Sequence, residues 1–401
     1  MTLYPKGVPT ALGGRELAEQ FGNKHEDFPR FPDVELDRRR AAMTKAIAQH
    51  EVEGLLVYGA DRSGSAVQWL TEWPVTREAA LVLTPGEPDA LFIQFYNHVP
   101  AARRFARRAN VSWGGPATME TVIQELRRRG VARVGVVGPL SWRNHLWLGD
   151  AFDTMSLDAD SVRLRLIKST FELDWLRKGA ELSDRAITAV SDSVRIGMRE
   201  TDLGAVCEAS YLATGATNHI HYFGVTSMAE PDRCVPSQWP SNRQIAQGDV
   251  ITCEISASWW GHPGQVLRSI AVASDPNPLY RDLHAAADAA YDAVCGTIRH
   301  GAQPGEVIEA AGVIEEAGFT IYDDLVHGYG GGYFPPILGS ASRMNEPLPD
   351  LVFEEGMTVV VQPNVITPDE RAGVQTGGLV LVTRDGVEQL QHAPRGFWRA
   401  G

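Results

Sequence analysis

GDVITCEISASWWGHPGQVLRSI, residues 248–270, decides the architecture of this chain. Two runs rich in β-branched and apolar residues, Asp249–Ala257 and Gln265–Val272, flank the segment Trp260–Gly264, where two glycines and a proline mark a turn. The pattern predicts a β-hairpin. Polar side chains suited to chemistry, Glu254, His262 and Gln265, lie within it. The same stretch is therefore a candidate core and a candidate site.

Upstream, LIKSTFELDWLRKGAELSDRAITAV (166–190) reads as a linker strand feeding a long amphipathic helix, with Ser169 or Thr170 as its cap and acids in the first turn. Downstream, helical periodicity spans Leu279–His300 and Gly305–Ala317. Glycine-rich HGYGGGY (327–333) reads as a loop, and Thr358–Gln362 and Leu379–Thr383 as strands. Strands interleaved with long helices make the second half α+β. In the first half, a helix at Glu35–His50 precedes strands at Gly54–Gly59, Leu81–Thr84 and Ala90–Phe95. The helix Thr118–Arg129 then leads into a β-type run at Val131–Gly138. This alternation is that of a layered α/β domain. The expected division is 1–165 and 166–401, consistent with a length of 401 residues, more than one ordinary core serves.

Composition narrows the function. Lys and Arg number 37 against 50 Asp and Glu, a formal net charge of −13, which opposes a nucleic-acid partner or a docked membrane surface. The basic clusters 103–108 and 127–129 read as solvated helix faces. No apolar run reaches the ~18 residues of a membrane span, and MTLYPKGVPTALGG lacks a signal peptide's layout. Cys207, Cys234, Cys253 and Cys295 are widely spaced and form no CxxC, as expected of reduced thiols in a cytoplasmic protein.

Four blocks in fixed order carry a resemblance: residues 248–270, LVHGYGGGYFPPI (325–337), FEEGMTVVVQPNV (353–365) and AGVQTGGLVLVTRDG (372–386). Together with RLIKSTFELDWLRKGAELSDRAI (165–187), they resemble the creatinase/aminopeptidase P superfamily. The resemblance implies a C-terminal pita-bread catalytic domain and a smaller N-terminal α/β domain of the creatinase type. It also implies a homodimer in which that smaller domain closes a neighbour's pocket. Metallopeptidases of the superfamily hold two divalent metals with two Asp, one His and two Glu. Carried onto this chain, those positions read Glu254, Gln265, Gly331, Gln362 and Gly377. His327 matches a histidine that sits by the substrate in the peptidases without binding metal.

One acid of five cannot offset the charge and lost hydration of two hard cations. The expectation is therefore a site with no metal and no other cofactor. The creatinase branch resembles this, cleaving a C–N bond without metal by means of a histidine and glutamates. Its histidine position is Ser237 here and one glutamate position is again Gln362, so the chain looks like a third variant of the cavity.

Glu254 and His327 are the expected catalytic pair, the carboxylate orienting and tuning the imidazole, or Glu254 itself acting on water with its pKa raised among Trp259, Trp260 and the Gln side chains. Gln265 and Gln362 suit a planar polar group or a developing oxyanion, since each amide both donates and accepts. His262 could project over the cavity mouth. His219 and His221 have strand spacing and so share one face, for substrate contact or structure. Ser237 offers a hydroxyl, Tyr329 and Tyr333 flank the glycines, and Arg77 follows a family arginine that meets a substrate carboxylate across the dimer. Arg268 is expected to pair with an internal carboxylate. The leading expectation is a metal-independent, creatinase-like hydrolase cleaving an amide-type C–N bond of a small polar substrate. A lyase or C–C-cleaving enzyme, a non-catalytic binding protein and a residual Xaa-Pro-type metallopeptidase stay open.

Overall fold

The computed structural model describes residues 28–61, 63–343 and 347–401; expectations about 1–27 lie outside them. The chain divides into two compact units, of which Phe28–Arg165 is the smaller. Six strands run through it: β1 (Gly54–Ala60), β2 (Glu78–Leu83), β3 (Asp89–Ile93), β4 (Ala109–Trp113), β5 (Arg133–Val137) and β6 (Asp153–Ser156). They form one sheet in the order β4-β3-β2-β1-β5-β6, antiparallel at β1–β2–β3 and parallel elsewhere. Helices α1 (Asp33–Gln49), α2 (Ser65–Thr71), α3 (Val99–Phe105), α4 (Thr118–Arg128), α5 (Trp142–Ala151) and α6 (Asp158–Leu166) complete it. Strand periodicity separates two cores: Leu55 and Val57 join one, Leu56 and Tyr58 the other. Several arginines of the basic clusters are ion-paired: Arg108 with Asp37, Arg128 and Arg129 with Glu125.

Among the described residues the larger unit runs from Leu166 to Gly401. Ser169 caps α7 (Thr170–Ser193) in a capping box: its hydroxyl accepts from Glu172 N at 3.2 Å, and the Glu172 carboxylate accepts from Ser169 N at 2.9 Å. After α8 (Glu200–Ala209) come β7 (Thr217–Ser227), β8 (Asp249–Trp259) and β9 (His262–Val272). The hairpin is present with a tighter turn than expected, only Trp260 and Gly261, at φ +50° and +85°. Positive φ at both residues matches the twist of the strands, and a tryptophan is a poor signal for such a position. Helix α9 (Pro278–Thr297) follows. The expected helix at Gly305–Ala317 is two pieces, α10 (Pro304–Ala310) and α11 (Val313–Glu316), with Gly312 as the N-cap of the second. Glycine propagates a helix badly, which accounts for the break.

The remaining strands are β10 (Thr320–Ile321), β11 (Val326–Tyr329), β12 (Tyr333–Leu338), β13 (Thr358–Val361), β14 (Val365–Ile366), β15 (Gly377–Val382), β16 (Val387–Gln389) and β17 (Trp398–Ala400). The main sheet runs β12-β11-β13-β15-β9-β8-β7, with β16 on β15 and β17 parallel to β9. His327 thus stands on a strand, not in a loop; the glycines make the turn between β11 and β12.

Helix α7 lies on the hairpin because glycines let the backbones touch. A Cβ at Gly264 would sit 2.2 Å from Ala180 N, and one at Gly179 would sit 2.4 Å from the His262 carbonyl. Gly264→Ala is therefore expected to cost about 3 kcal/mol or more, read as a lowered urea midpoint. Gly296→Ala, with nothing within 4 Å of the new methyl, should cost nothing. Equal midpoints for the two variants would refute the close-approach argument.

Candidate active site

Strands β8 and β9 put Glu254, Ser256 and Gln265 on one face, since Ser256 is the register partner of Gln265 and Glu254 lies two residues away. Gln362, just past β13, completes a buried cluster. Gln265 Nε2 donates to Glu254 Oε1 at 2.8 Å and to Gln362 Oε1 at 2.9 Å. Gln362 Nε2 donates to the Asp324 carbonyl at 3.1 Å. One amide thus spends both its hydrogens joining the carboxyl to the second amide. Trp259, odd in register from Glu254, falls on the other face of β8.

Burial, then the neighbouring Asp323 and Asp324 carboxylates, push the Glu254 carboxyl up to about 8. That direction favours the protonated form, and with Oε1 taken by the Gln265 N–H the proton belongs on Oε2. Burial pulls the His327 imidazole down to about 4, against the opposing influence of the Gly328 carbonyl, Asp323 and Gln362. His327 Nδ1 lies 3.3 Å from the Gly328 carbonyl, which assigns the hydrogen to Nδ1 and leaves a lone pair on Nε2. Burial and Asp324 likewise raise Asp323. At neutral pH the site pairs a protonated carboxyl with an unprotonated imidazole.

Aromatic rings frame the imidazole. His327 stacks on Tyr333 at 4.4 Å and meets the edge of Tyr329 at 5.3 Å. Tyr329 donates its hydroxyl to Ser256 Oγ at 3.1 Å, and Tyr333 donates to Asp324 Oδ2 at 2.7 Å. Tyr333 is 54 % exposed, so it forms the outer edge of the cluster.

The structure gathers Glu254, Gln265, Gln362, His327, Tyr329 and Tyr333. The expected catalytic pair shares no direct hydrogen bond: Glu254 is held by Gln265 and the imidazole by Gly328, with Gln362 acting on both sides. His219 and His221 do not share a face. A β-bulge between Asn218 and Ile220 leaves His219 as the extra residue, edge-on to Tyr329 at 5.9 Å. His221, opposite Ile255, instead reaches Glu208 of α8 at 3.2 Å. His262 packs edge-on against Trp175 of α7, and its Nδ1 lies 3.3 Å from the Trp260 carbonyl. The Ser237 hydroxyl donates to the Trp239 carbonyl at 2.7 Å. Arg77 is an exposed residue of the smaller unit, one position before β2.

Arg268 meets carbonyls rather than a carboxylate. It donates to Pro394, Leu267, Gly377 and Ala393. Sequence reasoning passes over Asp323, Asp324, Ser256 and Tyr222. Period-two spacing from Glu254 points to Ser256, and Tyr222 is the register partner of Glu254 across β7. The acid pair has only its closeness to His327 in the chain as a signal.

Of the five carried-over metal positions, only Glu254 offers an acid, and burial raises its proton affinity. Gly331 and Gly377 have φ of +74° and +146°. A Cβ at Gly377 would lie 2.2 Å from the Val361 carbonyl, so this backbone has no room for a liganding side chain. Among the described residues, no three His, Cys, Asp or Glu gather in a geometry to hold a metal.

Comparison with known proteins adds the family. The family model "Metallopeptidase family M24" matches residues 174–384. The Xaa-Pro dipeptidase of Pyrococcus furiosus is 24% identical over 266 residues, covering 65% of this chain and 74% of that protein. The uncharacterized peptidase YqhT of Bacillus subtilis is 23% identical over 360 residues, covering 86% and 95%. Among solved structures, the Xaa-Pro dipeptidase from Bacillus anthracis superposes with a TM-score of 0.77 at 19% identity, covering 91% of this chain and 99% of that one. The fold is the pita-bread fold of these enzymes.

Proposed function

The chain belongs to metallopeptidase family M24, and from that premise we propose that its larger unit hydrolyses an amide-type C–N bond of a small polar substrate by side-chain acid–base chemistry, without a divalent metal. The observation that carries this reading is the Gln265 bridge. The two N–H hydrogens of one amide, one aimed at Glu254 and the other at Gln362, fill the space between oxygens that a cation would need. A neutral carboxyl, two amides and two glycines do not suit a dinuclear hard-cation centre.

Two titratable groups whose surroundings drive their proton affinities apart supply the acid and the base. Water attacks the substrate carbonyl carbon as His327 Nε2 accepts its proton. The C–N bond breaks as the Glu254 Oε2 proton passes to the leaving nitrogen, giving a carboxylic acid and an amine. Solvent then returns the proton from imidazolium to carboxylate. The Gln362 N–H not held by Asp324 is available to the developing oxyanion. The cytoplasmic setting and the homodimer belong to this proposal. So does the absence of nucleic-acid and membrane partners, which the acidic charge supports.

A residual metallopeptidase using one ion at Glu254 is the second reading, favoured by the names of the dipeptidase relatives. A panel of small N-acyl and ureido compounds and Xaa-Pro dipeptides, assayed after exhaustive chelation, separates the two. Activity is expected to survive chelation, and kcat/KM should be bell-shaped in pH. Its acid limb lies near 4, where His327 protonates, and its alkaline limb near 8, where Glu254 ionises. Oxygen from labelled water should enter the acid product, as elimination would not require. Activity restored only by added metal would establish the second reading.

A further inference from the structure

Beyond Gln362 the chain continues toward two buried amides that no step above uses. The β13–β15 register pairs Val361 with Gly378. It continues through Val374 N donating to the Val365 carbonyl at 2.9 Å and through the Ile366–Gly373 bridge. Counted along the same register, Asn364 falls across from Gln375 in the stretches between the named strands, the two lying two residues along the chain from Gln362 and Gly377 respectively. Both residues are 1% exposed. Asn364 Nδ2, Asn364 Oδ1 and Gln375 Oε1 have no hydrogen-bond partner.

The backbones do have partners. Gln375 N donates to Ser269 Oγ at 2.8 Å, the Ser269 hydroxyl donates back to the Gln375 carbonyl at 3.0 Å, and Asn364 N donates to the Gln362 carbonyl at 2.7 Å. The unmet capacity therefore belongs to the side chains alone. The segment that carries Gln375 is also tightly seated. A Cβ at Gly373 would lie 2.1 Å from the Cys234 carbonyl and one at Gly377 2.2 Å from that of Val361. Buried polar atoms nearly always find partners, and leaving one without is costly. Three such atoms on two side chains that the register brings across from one another suit a ligand that gives and takes hydrogen bonds together.

We propose that Asn364 and Gln375 form a subsite for a planar donor–acceptor group of the substrate, a carboxamide, lactam or urea, continuing from Gln362. The subsite deepens the function proposed above and rests on its placing the substrate against Gln362. Asn364 Oδ1 and Gln375 Oε1 accept the group's N–H hydrogens, and Asn364 Nδ2 donates to its carbonyl.

The test is ligand-observed NMR titration with 2-pyrrolidinone against cyclopentanone, a ring of the same shape without the N–H. The lactam should bind about tenfold or more tighter to the unaltered protein. Asn364→Leu with Gln375→Met should erase that preference while leaving the melting temperature equal or higher, because apolar isosteres remove unmet polar atoms. If the double variant does not fold, each single variant carries the same comparison. Glu254→Gln should keep the lactam preference while losing turnover, so failure of the catalytic reading leaves this measurement standing. Equal binding of the two rings, a preference that survives both substitutions, or a water bridging Asn364 and Gln375 that the lactam does not displace would each overturn the subsite.

Discussion

Glu254→Gln is expected to lower kcat/KM by about 10²–10⁴-fold and, unusually for a catalytic substitution, to gain stability relative to the parent as pH rises. The sign follows from the direction of the shift. Glu254 holds its proton more tightly folded, with a midpoint of about 8, than at its ordinary value of 4.5. Its contribution to stability is therefore complete below 4.5, is lost as pH climbs toward about 8, and stays lost above that. Glutamine keeps the shape and carries no titrating proton. The difference in unfolding free energy, variant minus parent, should grow across that window by a few kcal/mol and then level off. Paired urea titrations between pH 4 and 9 measure it. A difference that stays flat with pH would show that Glu254 binds its proton alike in the folded and unfolded chain, leaving it ionised at neutral pH, and would remove it as the proton donor.

Gly377→Glu should fail as a repair. Restoring the acid that the metallopeptidases carry at this position looks like a route back to metal chemistry. The backbone forbids it: φ is +146° and the first side-chain carbon would meet the Val361 carbonyl at 2.2 Å. The variant is expected to lose about 3 kcal/mol or more, read by thermal unfolding. It should bind no zinc, manganese or cobalt by elemental analysis after loading. Gln362→Glu, by contrast, keeps the length and branching of the side chain at its position and should fold. A well-folded Gly377→Glu protein holding stoichiometric metal would show that the strand yields, and the case for metal-free chemistry would go with it.

Much of this arrangement is legible in the order of amino acids alone. The hairpin of 248–270, the Ser169 cap with Glu172 three residues on, and the strands expected at Thr358–Gln362 and Leu379–Thr383, found at Thr358–Val361 and Gly377–Val382, follow from periodicity, capping chemistry and glycine placement, all local properties of the chain. Glu254, Gln265 and Gln362 come from the resemblance of the ordered blocks rather than from local pattern, and the structure brings the three side chains together.

What stays hidden depends on geometry that one stretch of sequence does not encode. The bulge that turns His219 away from His221 arises from a mismatch between two strands, neither of which is irregular by itself. The turn at Trp260 requires a left-handed tryptophan, against every local preference. Asp323 and Asp324 matter through their distance from Glu254, about seventy positions earlier in the chain. An acid is the expected partner of Arg268 because guanidinium groups commonly have one, yet four backbone oxygens satisfy it.

That guanidinium makes the tail a structural member of the catalytic unit. Two of its four acceptors, Ala393 and Pro394, belong to the segment that leads into β17, and the other two, Leu267 and Gly377, flank the site from β9 and β15. A cation sealed in this way ties the far end of the chain to the strands that aim Gln265 and keep Gly377 in its unusual twist. Clipping or unzipping the last dozen or so residues would strand a positive charge in the interior, and the damage would surface at the site rather than at the frayed end.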